Sequence, residues 1–161
     1  TALLSTDEDN LNEKARALVD DLKTMRSQIQ AAKLRELLDN SEKFLEREEI
    51  NGVLLQVGRF PDIPANMLRD IGDKARARPE PNIVILASIN TEDNSCQLVA
   101  MADDNAINKG INAGELVKEA CIILGGKGGG RKNLAQGGGK EGSKLESALK
   151  RVRELIANKL N

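Results

Sequence analysis

The chain has no histidine, tryptophan or tyrosine, and its aromatic side chains are limited to Phe44 and Phe60. Lacking histidine, it lacks the commonest zinc ligand and the usual general base, and two cysteines, Cys96 and Cys121, cannot complete a tetrahedral site unaided. These gaps argue against a metallohydrolase. Both cysteines sit in apolar runs, so each reads as a small packed hydrophobe rather than half of a bridge. No apolar run approaches membrane-spanning length and nothing resembles a signal peptide, which gives a cytosolic reading with no membrane partner.

What the chain does have is glycine in one place. Eight of its fourteen glycines fall between Gly125 and Gly139, in the run GGKGGGRKNLAQGGGK. Without a Cβ, glycine admits positive φ and close approach of a ligand to the main chain, and consecutive amides in such a loop can converge on an anion. Lys127, Arg131, Lys132 and Lys140 are threaded through the run and add charge where a phosphate would sit. The competing reading is a flexible linker. Leu134, Ala135 and Gln136 count against it, because an apolar pair and an amide between two glycine clusters suit the anchor of a shaped loop. Ordering such a loop on binding costs roughly 1 kcal/mol or more per residue, which predicts modest affinity for the isolated piece.

Charge is nearly balanced overall, at −1, but lopsided along the chain: residues 125–161 carry nine Lys or Arg against Glu141, Glu146 and Glu154. The basic tail can meet a polyanion while the remainder stays acidic, since local rather than net charge governs such contacts. For Lys150, Arg151, Arg153 and Lys159 a solvated helix face is an equally good explanation.

At 161 residues the chain suits one domain plus an appendage. Ser5 and Glu8 have capping-box spacing, and Leu11, Ala15, Leu18, Leu22, Met25, Ile29 and Ala32 follow in alternating steps of four and three. This predicts a coiled-coil-like arm over residues 1–50, with a bend or second short helix near Asp39–Glu42 and an end at Asn51-Gly52. A globular domain over residues 51–161 follows. VLLQVGRF, NIVILASI and SCQLVAMA read as strands, the last two joined by a turn at residues 90–94. Asp62 and Pro64 open a helix between the first two, making a β-α-β unit. Asn112 and Glu115 cap a further helix that Gly125 stops, and Ser143 with Glu146 caps the last one. The predicted class is α+β, in the order β-α-β-β-α-glycine loop-α. The glycine loop joins two helices and lies beside the N-terminus of the second, so that loop and helix amides can meet one anion together.

Familiar phosphate motifs fail. No glycine is followed by Lys-Ser or Lys-Thr, and the loop follows a helix rather than a strand, which excludes a P-loop and a dinucleotide fingerprint. Asp103 and Asp104 form a carboxylate pair, but at a strand end beside turn residues, a poor place for acid and base. Scarce aromatics count against single-strand binding, where bases stack on such rings. Recognition by shape, phosphate and 2′-hydroxyl contacts remains, the mode used for folded RNA.

The segment from Gly110 to Lys140, GINAGELVKEACIILGGKGGGRKNLAQGGGK, resembles the signature of the DHH-associated domain in the form that closes alanyl-tRNA synthetases. NAGELV, GGKGGGR and AQGGG occur in that order ahead of a terminal amphipathic helix, and the similarity extends over essentially the whole chain. Opening at Thr1 without methionine fits a C-terminal fragment of a longer protein. The resemblance implies a non-catalytic domain that contacts the outer corner of tRNA for alanine and helps present one tRNA to the aminoacylation and editing sites of its parent. It also implies partner domains elsewhere in that parent, which uses ATP with magnesium and carries zinc in its editing domain, no cofactor in this piece, and a possible homodimer. By position in the motif, Gly126, Gly128, Gly129 and Gly130, then Gly137, Gly138 and Gly139, would allow close backbone approach to RNA. Lys127, Arg131, Lys132 and Lys140 would neutralise phosphates, and Gln136 would bond a sugar or base edge. Two other roles compete: gripping substrate for a single-strand exonuclease or oligonucleotide phosphodiesterase, and oligomerisation through the arm.

Overall fold

The computed structural model describes the backbone from Ala2 to Asn161 and side chains from Glu8 onward. It divides into two units, residues 1–39 and residues 40–161.

The first unit is one helix, α1 (Ala2–Asn40). No glycine or proline interrupts residues 2–40, so α1 stays helical through the shift of apolar register near Leu34; it ends at Asn40, where the expected second short helix follows as a 3-10 turn. Leu11, Leu18, Leu22, Met25 and Ile29 form the predicted stripe, and all are exposed. The cap expected of Ser5 involves a side chain outside the described residues.

The second unit opens with a 3-10 turn, Ser41–Phe44, and then a strand, β1 (Leu45–Ile50). The helical reading of residues 41–50 is thus corrected, and the compact unit starts at Asn40 rather than at residue 51. β1 pairs antiparallel with β2 (Val53–Pro61) through Asn51 and Gly52, whose φ values of 47° and 87° make a tight hairpin. Asn-Gly is the strongest short hairpin signal. It was hidden here by the charged run Glu46–Glu49, which an edge strand carries on exposed positions.

β2 runs parallel to β3 (Asn82–Ile89) after crossing over through α2 (Ala65–Arg76), and β3 turns back antiparallel into β4 (Cys96–Ala102). The three predicted strands and the β-α-β unit are therefore present. Asp62 does not cap α2, which follows Pro64 directly; its carboxylate accepts from Thr91 N–H and Oγ1 (2.9 and 2.7 Å), and these bonds lower its pKa. After β4, Asp103 accepts from Ala106 N–H (2.8 Å) as the cap of a short helix, α3 (Asp104–Asn108). Next come α4 (Ala113–Ile123), two strands described below, and α5 (Leu145–Leu160).

Strand alternation sorts the core into two layers. Val53, Leu55, Val57, Ile83, Ile85, Leu98 and Ala100 face α4 and α5 in one continuous cluster. On the opposite face α2 packs over β3 and β4, with Leu68, Ile71, Gly72 and Ala75 buried. Each fully buried Leu or Ile contributes roughly 1.5–3 kcal/mol by leaving water. Gln56, buried among apolar neighbours, is satisfied by donating to Ala75 O (2.9 Å) and accepting from Arg47 Nε (3.1 Å).

Arg59 of β2 ties three elements. Its guanidinium bonds both carboxylate oxygens of Glu146 on α5 (2.6 and 3.1 Å) and reaches Glu46 of β1 at 3.1 Å. Hydrogen bonding from Arg59 holds the Glu146 carboxyl below its ordinary range. A carboxyl depressed in the folded state stabilises above its unfolded pKa and loses that contribution as pH falls through the folded value. Urea midpoints measured between about pH 5 and about pH 3 should therefore fall less steeply in Glu146→Gln than in the parent chain.

Candidate nucleic-acid interface

The glycine-rich run is not a loop. Residues Lys127–Gly130 form β5 and Leu134–Gly139 form β6, an antiparallel hairpin that completes a six-stranded sheet of order β1-β2-β3-β4-β6-β5. β6 lies between β4 and β5, so its amides serve the sheet on both sides and the expected anion nest is not formed there. Gly126 N–H is likewise used, donating to Cys121 O (2.8 Å). β5 is the end strand and keeps one backbone edge outside the ladder.

Most of these glycines are required by packing. A Cβ on Gly128 would stand 2.7 Å from both Cys121 Sγ and Val117 Cγ1 of α4, and one on Gly137 would meet Gly128 Cα and Cys121 Sγ. From the other side, a Cβ on Gly114 of α4 would stand 2.5 Å from Gly130 O. Helix and hairpin thus touch through positions that carry no side chain. Cys121 and Cys96 are free and buried, as packed hydrophobes should be, and burial pushes the Cys96 thiol up to about 11. Gly125, with φ of 73°, stops α4 as expected, and Asn112 caps it by accepting from Gly114 and Glu115 N–H.

Gly129 is different: a Cβ there would find nothing within 4 Å. Register explains the contrast. Gly128 opposes Gly137, which opposes Leu98 of the α4-facing core, whereas the Gly129, Gln136 and Val99 row points to the other side. Beyond α2 that side is open, forming a groove of about 410 Å³ bordered by Gly129, Gly130, Arg131, Asn133, Gln136 and Arg69. Arg69, exposed on α2, has no mark in the linear sequence that connects it with the hairpin.

The hairpin tip is fixed. Arg131 N–H donates to Leu134 O (2.9 Å) across a two-residue turn, Lys132 O accepts from Ala113 N–H (3.0 Å) and Asn133 O accepts from Ala102 N–H (3.1 Å). One bond reaches the start of α4 and the other the end of β4. Arg131, Lys132 and Asn133 are left with exposed side chains.

Ion pairing separates two groups of cations in the basic tail. Lys144 meets Glu141 (3.1 Å), Arg151 meets Glu119 and Glu154 (3.9 and 3.7 Å), Arg153 meets Glu48 (2.6 Å), and Lys159 meets Glu115 (3.0 Å). The basic face of α5 is thus largely compensated by acidic residues of the sheet, α4 and α5 itself. Lys127, Arg131, Lys132, Lys140 and Arg69 make no ion pair with the described residues, and all five are exposed. Five cations without ion-pair partners therefore gather on the hairpin and its groove.

Two expectations are corrected. A 3-10 turn, Gly142–Lys144, takes in Ser143 ahead of α5, so Ser143 is not the N-cap and gives no side-chain cap, and Glu146 is held by Arg59. The amides at this point are already paired, Gly142 N–H with Asn94 O and Lys144 N–H with Glu141 O (2.9 and 3.0 Å), so they offer no joint anion site with the glycines. Among the described residues no group of three or more His, Cys, Asp or Glu is arranged to hold a metal, and no helix is long and apolar enough to cross a membrane.

The DHHA1 domain family matches residues 51–158. The alanine-tRNA ligase of Natranaerobius thermophilus is 32% identical over 160 residues and that of Alkaliphilus oremlandii 34% over 159, covering 99% and 98% of this chain. The chain spans 18% of the length of each of those ligases. Among solved structures, the C-Ala domain of Aquifex aeolicus alanyl-tRNA synthetase superposes with a TM-score of 0.64 at 32% identity, covering 70% of this chain and 98% of that domain. A DHH domain from a member of the s1p family of ribosomal proteins shares the fold, with a TM-score of 0.57 at 14% identity over 79% of this chain and 31% of that one. An α+β sheet domain with its glycine-paved hairpin, matched along nearly the whole of C-Ala, thus belongs to the DHHA1 domain family in its alanyl-tRNA synthetase form.

Proposed function

We propose that this chain is the tRNA-binding C-terminal part of a cytosolic alanine-tRNA ligase, docking the outer corner of tRNA and helping present it to aminoacylation and editing sites in the rest of the enzyme. The observation that carries the reading is the gathering of unpaired cations, Lys127, Arg131, Lys132 and Lys140, on a hairpin with an almost bare face. A rod-like or folded phosphate backbone is attracted by such charge and can approach the main chain at Gly129, where no side chain intervenes. Gln136 and Asn133 offer amides, each both donor and acceptor, that suit a ribose hydroxyl. Catalysis, with its ATP, magnesium and zinc, belongs to the remainder of the parent ligase. The curated relatives favour this reading over an accessory role in a single-strand nuclease.

Because the hairpin is already folded, its ordering cost is met when the chain folds and does not fall on the binding step. The weak affinity expected of a floppy loop no longer follows. Tethering to the parent adds effective concentration rather than repairing a weak site.

A second reading, self-association through α1, draws on the exposed stripe of Leu11, Leu18, Leu22, Met25 and Ile29. Sedimentation of the parent chain against Leu18→Glu/Leu22→Glu decides it: a dimer lost in the variant supports pairing, and identical monomers dismiss it.

Lys127→Ala and Arg131→Ala should each weaken binding of an alanine tRNA transcript by about three- to tenfold and flatten the logarithmic salt slope by about one unit. Filter binding across a salt series measures both, and unchanged slopes in the two variants would remove the hairpin from the interface. A pair of glycine variants separates floor from scaffold. Gly129→Ala should leave the unfolding free energy from urea titration within about 0.5 kcal/mol of the parent yet reduce tRNA affinity, whereas Gly137→Ala should destabilise by about 1–3 kcal/mol.

A further inference from the structure

The groove has a second wall that does not belong to the hairpin. Gly72 brings α2 down onto the sheet so closely that a Cβ there would stand 2.7 Å from Met101 Sδ. Met101 is the β4 partner of Leu134, the first residue of β6, so the depth of α2 is set directly beside the hairpin. Leu68, Ile71 and Ala75 point into that contact. Arg69, next to Leu68, emerges at the side of the helix and borders the same 410 Å³ groove as Arg131. It makes no ion pair with the described residues, and its side chain is exposed. The same groove includes Gly129, where a Cβ would meet nothing within 4 Å beyond its chain neighbours.

Resting on the RNA-docking reading above, we propose that Arg69 is an RNA-binding residue, and that the ribose-phosphate backbone lies across the open face of the hairpin between Arg69 and Arg131 rather than against the hairpin tip alone. Two unpaired, exposed cations bordering one groove, with a bare floor at Gly129, suit a ligand that is narrow, anionic at intervals and able to lie flat. A guanidinium presents donors in a planar fork that matches phosphate oxygens. Arg69 is therefore placed to take a phosphate that the hairpin cations do not reach from their own rim.

The test is binding of a full-length alanine tRNA transcript to the intact chain, by filter binding across a salt series, for Arg69→Ala, Arg69→Lys, Arg131→Ala and, as control, Lys150→Ala. Lys150 is exposed on α5 and makes no ion pair with the described residues, so it reports the effect of removing one remote positive charge. Arg69→Ala should weaken binding about three- to tenfold and lower the salt slope by about one unit, as Arg131→Ala does. Arg69→Lys should keep the slope while losing part of the affinity, and Lys150→Ala should alter neither. Circular dichroism melts should be unchanged for Arg69→Ala, whose side chain is exposed. A normal slope in Arg69→Ala with a reduced one in Arg131→Ala would overturn the second wall and leave the hairpin interface standing. Equal losses in Arg69→Ala and Lys150→Ala would reduce Arg69 to general charge and also overturn it. Normal slopes in all of these variants would remove the docking reading and this inference together.

Discussion

At Gly114, Gly128 and Gly137 a helix and two strands come together with no room for a Cβ, and the rest of the site depends on that contact. It lets α4 lie against β5 and β6, which holds the hairpin as part of the sheet instead of a mobile extension. Once that face is taken by α4, strand alternation leaves the other face to Gly129 and Gln136. The same run of glycines therefore does two unlike things. Those facing α4 allow close packing inside the protein, and the one facing outward leaves main chain open to a partner.

Charge is distributed to match. Arg151, Arg153 and Lys159 of α5 are answered by Glu46, Glu48, Glu115, Glu119 and Glu154, so a helix that looks nucleic-acid-binding in sequence is mostly tied down by exposed pairs of small individual worth. The hairpin cations have no such partners. A count of lysines and arginines over residues 125–161 gives the sign of the tail but not which of its members are free, and only the folded arrangement of acidic residues from β1 and α4 decides that.

Much of the fold was legible in the sequence because period and punctuation agree. Val53 to Phe60 and Asn82 to Ile89 are buried apolar runs bounded by turn residues, and Asn112 with Gly125 brackets α4 at both ends. Legibility failed where one signal masked another. In β1 the charges from Glu46 to Glu49 concealed an edge strand, although Asn51-Gly52 announced its hairpin. In β5 and β6 the glycines, poor strand formers on their own, suggested a loop; their partners across the sheet and α4 override that preference. The cap expected of Asp62 and the capping box at Ser143 both failed: Asp62 turns its carboxylate to Thr91, and Ser143 lies inside a 3-10 turn while Glu146 bonds Arg59. Of the candidate site, its cations and Gln136 could be named from the run itself. Arg69 could not, since it joins the groove only through the packing of α2 on β4.

Under the proposed function a pre-folded hairpin meets RNA through its open face. Amide chemical shifts of the isotope-labelled chain, recorded alone and during titration with an alanine tRNA transcript, test it most directly. Strand-dispersed signals are expected for residues 127–139 before RNA is added, with perturbations on addition that centre on Gly129, Arg131 and Gln136. Collapsed, coil-like signals for the glycines in the free chain, or perturbations confined to α5 with the hairpin unmoved, would contradict it.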